Sequence, residues 1–139
     1  MSWKIFQRWF NVAPWHNADY VTDKKGEKFW LNWGTDFNLD PEMWVYYKGK
    51  RVGIVQTYWD EEGGLILTDF NIFESYGYLR KRGVGKQMML RYIKRAKEKG
   101  TRYIKGLIVP HDGSSQEYLV EWYKRQDFQV DGNVIHLEL

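Results

Sequence analysis

Cysteine is absent from the 139 residues, and proline and histidine occur three times each. Without cysteine there can be no disulfide, no thiol nucleophile and no thiolate metal ligand. His16, His111 and His136 are too scattered to suggest a metal cluster, so a metal-free protein is expected. No apolar run approaches the roughly 20 residues that cross a bilayer. The opening MSWKIFQRWF lacks an apolar stretch ending in a small-residue cleavage site, and a cytoplasmic protein is the expectation. No repeat, low-complexity tract or Pro/Gly/Ser linker divides the chain, whose length fits one domain.

What is present is an ordinary globular composition, 43% hydrophobic and 28% charged. A chain of this size buries roughly two thirds of its unfolded surface. The net charge is only +3, but residues 80–105 hold 11 of the 21 basic residues against one acid, Glu98. Such a stretch is either a solvated helix face or the electropositive rim of a site for a polyanion. Nucleic-acid binding is one reading of it, weakened by the small total charge.

Strand patterns cover Met43 to Tyr47, Arg51 to Trp59 and Leu65 to about Ser75, separated by tight turns. From Gly83 to Lys99 the period becomes helical, with Val84, Met88, Met89, Tyr92, Ile93 and Ala96 on one face and basic residues on the other. Gly100 is a natural stop. A strand is expected over 103–109. A helix over Ser115 to Arg125 should be capped by Ser114 with Glu117 reaching back, and a last strand runs over about 134–139. The order after residue 42 is then β-β-β-α-β-α-β, a meander feeding a mixed α/β sheet. The first 42 residues are dense in aromatics, from Trp3 to Phe37, and read as a packed lobe of short elements.

The segment YLRKRGVGK, residues 78–86, joins a strand to a helix. It is not a nucleotide P-loop, since Gly85-Lys86 is followed by Gln87 and position 80 is arginine. Nor is it a dinucleotide fingerprint, because Met88 stands where the third glycine belongs. What remains is R-x-x-G-x-G: Arg80, Gly83 and Gly85. Glycines let the backbone approach a ligand, and the first N–H groups of a helix attract anions. A plain strand–helix turn needing positive φ would use the same glycines.

The stretch from about Leu65 to Phe128 resembles the GNAT superfamily of N-acetyltransferases. In that family an [QR]-x-x-G-x-[GA] loop after a strand holds the pyrophosphate of acetyl-CoA, and Arg80, Gly83 and Gly85 match it. Tyr123 to Phe128, YKRQDF, stands at the family's Y-E-K-x-G-F. Departures are Ser75 and Gly77 for valine and proline, Gln116 for asparagine and Asp127 for glycine.

The resemblance implies a single GNAT-like α/β domain with splayed strands: an acceptor-side lobe over about 1–42 and an acetyl-CoA-binding core over about 43–139. It implies acetyl-CoA as co-substrate, with no metal. Lys81, Arg82, Val84 and Lys86 join the loop's matched residues at the phosphates, Phe73 and Ser75 offer backbone bonds, and Gln116 opens the next helix. It further implies Tyr123 as the acid that protonates the leaving thiolate. Asp69 stands at the place of a family glutamate base and would act through water, with Glu74 as the alternative. Direct transfer to a primary amine in a ternary complex follows, with a non-catalytic acetyl-CoA-binding module as the rival and the acceptor amine open. A homodimer is compatible with all of this.

Overall fold

The structure, a computed structural model, describes residues 11–34, 36–79, 81–110 and 115–139, and of residues 74, 75 and 78 the backbone alone. In chain order the strands are β1 (Asp19–Thr22), β2 (Lys28–Asn32), β3 (Glu42–Tyr47), β4 (Lys50–Trp59) and β5 (Leu65–Ile72). Helix α1 (Val84–Glu98), strand β6 (Tyr103–Leu107) and helix α2 (Gln116–Arg125) follow, before the hairpin β7 (Gln129–Asp131) and β8 (Val134–Glu138). Among the described residues, eight strands form one mixed sheet in the order β1-β2-β3-β4-β5-β6-β8-β7. Every neighbouring pair is antiparallel except β5 and β6, which are parallel.

Several boundaries differ from the sequence expectation. The third meander strand stops at Ile72, and a 3-10 segment over Glu74–Leu79, kinked at Tyr76, takes up the chain. Glu74 is therefore not on a strand face. The cap of α2 is Ser115, not Ser114: its hydroxyl accepts from the Tyr118 N–H at 3.1 Å. Ser114 itself lies outside the described residues. Strands β1 and β7, four and three residues long, were too short to show an alternating pattern.

Helix α1 forms for the reasons its sequence suggests. Gly83 precedes it with φ 82°, and Gly100 follows it with φ 75°. Its apolar face shares one buried cluster with Phe29, Leu31, Met43, Val45 and Val55. Tyr92 fixes its depth. The Tyr92 and Thr57 hydroxyls lie 2.6 Å apart, and both reach the Pro41 carbonyl, at 2.5 and 2.8 Å. Burial raises the Tyr92 hydroxyl far above the usual phenol range, so it stays protonated and remains a donor.

Two irregularities open the sheet where the chemistry is expected. Gln56 pairs with Asp69 but Thr57 pairs with Leu67, so Thr68 is an extra residue, a β-bulge that bends β5. Pairing between β5 and β6 covers only Leu65–Leu67 against Ile104–Gly106. Close approach there depends on Gly106, where a Cβ would stand 2.9 Å from the Leu67 carbonyl oxygen. Past that point β6 stays with β8, and the Ile108 N–H donates to the Asn133 carbonyl. The strands part.

Candidate active site

The gap between β5 and β6 continues into a cleft of about 540 Å³. Thr68 to Ile72 form one wall and Leu107 to Val109 the opposite one. Gly83 to Lys86, at the start of α1, close one end, while Tyr118, Leu119, Trp122 and Tyr123 of α2 cover the helix side.

The glycine loop is shaped by left-handed backbone at Lys81 (φ 64°) and Gly83 (φ 82°). For a lysine that conformation costs on the order of 1 kcal/mol, a strain typical of functional loops. Gly83 gives α1 no side-chain cap, and the first turn contains no acid. The leading N–H groups of a helix have no partner within it, and residues 83–86 at this positive end of the helix dipole line the cleft. Gly85 is informative in another way. A Cβ added there would meet Trp122 at 3.6 Å and Phe70 at 3.9 Å, ordinary contacts. The protein itself leaves room for alanine, which would favour the helix by up to about 1 kcal/mol. Gly85, Trp122 and Phe70 all line the cleft.

Tyr123 is buried, its ring edge-on to Trp122 at 5.1 Å and to Phe128 at 5.4 Å. Burial first, and then the nearby Asp69 charge, push its hydroxyl up to about 12. Asp69 is exposed on β5, beside the bulge, and lines the same cleft. A carboxylate and a protonated phenol therefore meet in one cavity although they are distant in sequence.

Other expected residues lie elsewhere. Arg82 does not line the cleft: its Nε and Nη2 both bond Asp23 Oδ2, at 2.7 and 2.6 Å, and its guanidinium packs over Phe29 and Tyr47. The Arg82 guanidinium is thus engaged with Asp23. Phe73 donates its N–H to the Val52 carbonyl at 2.8 Å and turns its ring toward Trp44, outside the cleft lining. Gln116 opens α2 but also sits outside the lining, where Tyr118 and Trp122 stand instead. Ser75 and Glu74 belong to the 3-10 segment, and Arg80 lies outside the described residues. Lys81, Val84 and Lys86 do line the cleft.

The residue sequence reasoning missed is Lys24, from the β1–β2 turn, which lines the cleft beside Gly83. The turn is Asp23-Lys24-Lys25-Gly26, and nothing local in the sequence links it to residue 83. The basic stretch is also less free than its composition suggests. Arg91 pairs with Asp19, Arg95 lies over Trp33, Arg102 donates to the Glu62 carbonyl and Lys105 stands over Tyr103.

Comparison with known proteins fits this geometry. No curated protein sequence matches the chain. Solved structures of similar fold include a Bacillus subtilis acetyltransferase in complex with CoA, at 17% identity and TM-score 0.59, covering 78% of this chain and 96% of that one. A GNAT family acetyltransferase from Elizabethkingia anophelis with acetyl-CoA bound has 14% identity and TM-score 0.59, covering 70% and 75%. The anti-CRISPR protein AcrVA5 has 22% identity and TM-score 0.54, covering 70% and 98%. The model of the acetyltransferase (GNAT) family matches residues 5–128, most of the sequence. The chain belongs to the GNAT family of acetyltransferases and is an acyltransferase.

Proposed function

We propose that the protein transfers an acetyl group from acetyl-CoA directly to a primary amine, on a small molecule or a peptide, within a ternary complex. One observation carries the reading: the first turn of α1, which has no side-chain cap, lines the same cleft as Asp69 and Tyr123. The N–H groups of residues 83–86 would take the pyrophosphate, with Lys81 and Lys86 near the mouth. Beyond Leu67 β5 no longer runs paired with β6, and that stretch of backbone would border the pantetheine arm. The thioester supplies an activated acetyl group when bound.

An amine of pKa about 10.4 is neutral in only about one molecule in 2,500 at pH 7, a cost of about 4.6 kcal/mol. Asp69, acting through a water, takes up the ammonium proton. Glu74 remains the alternative carrier. As the C–N bond forms and the C–S bond breaks, the nitrogen releases its surplus proton to solvent, and Tyr123 gives its own proton to the departing sulfur and regains one from solvent. With Tyr123 at about 12 and a reference thiol near 8.5, that transfer is uphill by about 5 kcal/mol. Such a step fits within an enzymatic barrier. Free-thiol release from acetyl-CoA across a panel of amines tests the reading. Acetyl-CoA at 100 times its dissociation constant should stabilise the fold by about 2.7 kcal/mol. Stabilisation without thiol release from any amine would mean a binding module, and the absence of both would sink the proposal.

A further inference from the structure

The β1–β2 turn is tied to the glycine loop more firmly than a surface hairpin requires. Asp23 and Arg82, 59 residues apart, form an ion pair in which the Asp23 side chain is 0% exposed. Its Oδ1 accepts from the N–H groups of Lys25 and Glu27, both at 2.9 Å, while Oδ2 takes the arginine. A second tie is main chain to main chain: the Lys24 N–H donates to the Arg82 carbonyl at 2.8 Å. Buried ion pairs are a poor source of stability, since packed apolar groups often do as well, but they fix geometry.

What they fix is Lys24. A Cβ on Gly83 would stand 3.0 Å from Lys24 Cγ, 3.4 Å from Cε and 3.7 Å from Cδ. The lysine stem thus lies along the bare glycine, and the ammonium, one bond beyond Cε, stands at the cleft that the residue lines. Lys24 makes no ion pair among the described residues. Asp23, which would otherwise repel an anion, is neutralised by Arg82. The net charge delivered to the loop is one cation.

We propose that the β1–β2 turn is part of the phosphate site: Lys24 contacts the pyrophosphate held by residues 83–86, and the Asp23–Arg82 pair is the clasp that positions it. This rests on the cleft taking a CoA thioester. The glycine at 83 then serves two purposes, the left-handed turn and the passage of the lysine stem.

The test is calorimetric titration of the full chain with CoA and with dephospho-CoA. Lys24→Met keeps the stem against Gly83 and removes the charge. It should weaken CoA about tenfold, flatten the salt dependence, and leave the melting temperature of the free protein unchanged. The loss should be equal for dephospho-CoA, because the pyrophosphate is common to both, and Lys24→Arg should retain affinity. Asp23→Asn should weaken CoA when Lys24 is present and add little on top of Lys24→Met, the non-additivity expected of a positioning residue. Wild-type binding with Lys24→Met within twofold of it would overturn the assignment alone, as would a loss confined to CoA. No CoA binding by the wild type would overturn the reading of the cleft, and the assignment with it.

Discussion

The two halves of the sheet carry their information differently. From β5 to the end of α2, the residues proposed for the chemistry fall on successive elements: Asp69 on a strand, Gly83 and Gly85 at a helix start, Tyr123 on the next helix. From β1 to β4 the chain contributes mostly apolar faces, such as Phe29, Leu31, Met43 and Val45, with little that reads as a site. Yet that half brings Lys24 to the glycine loop and holds the Arg82 guanidinium on Asp23, outside the cleft lining. A motif marks where a ligand is bound. The packed half decides which of the motif's charges are free to bind it.

The comparison is broken most strongly at Tyr123. Tyr123→Phe keeps the ring against Trp122 and Phe128 but removes the proton, and turnover should fall about 10²- to 10⁴-fold with CoA affinity little changed. A rate within threefold of wild type in steady-state assays would end its role as acid. In the other half the large effect should be on stability alone. Leu31, 1% exposed, should cost about 2–5 kcal/mol as Leu31→Ala in denaturant titration, with the rate per folded molecule preserved.

Tyr92→Phe sharpens the boundary between the halves, because its hydroxyl joins α1 to Thr57 and Pro41. Leaving those buried groups short of a partner should cost about 1–3 kcal/mol, read as a lower melting temperature with unchanged acetyl-CoA affinity. Lost affinity instead would mean that the depth of α1 controls the loop.

The smallest effect expected is on acid stability. Burial pushes the Asp23 carboxyl up, but the N–H groups of Glu27 and Lys25 and the Arg82 guanidinium outweigh it, so the net shift is below the usual range. A lowered folded pKa gives stability that is full above the unfolded value, near 3.8, and lost as pH falls through the folded one. The stability gap between wild type and Asp23→Asn should therefore be constant from neutral pH to about 4 and close below it. A gap that persists at lower pH in melts would mean the contribution is packing rather than charge.

The legibility of the molecule follows the range of the interactions involved. Helix α1 could be read because its apolar period and its flanking glycines act within a few residues. The cap of α2 was misplaced by one residue because two adjacent serines are equally able acceptors, and only the local geometry chooses Ser115. The end of β5 was overrun because the kink at Tyr76 has no composition signal beyond one nearby glycine.

The sequence by itself determined the glycine turn, the amphipathic helix behind it, the tyrosine on the next helix and the mixed α/β order. Each depends on local sterics, period or residue type. Only the tertiary structure decided that Arg82 faces Asp23, that Lys24 stands beside Gly83, and that Asp69 and Tyr123 share a cavity. Those outcomes depend on which strands pair and where pairing stops, a matter of burial summed over the whole sheet. A basic residue in a motif can be identified from its neighbours in sequence, but its partner is set by its neighbours in space.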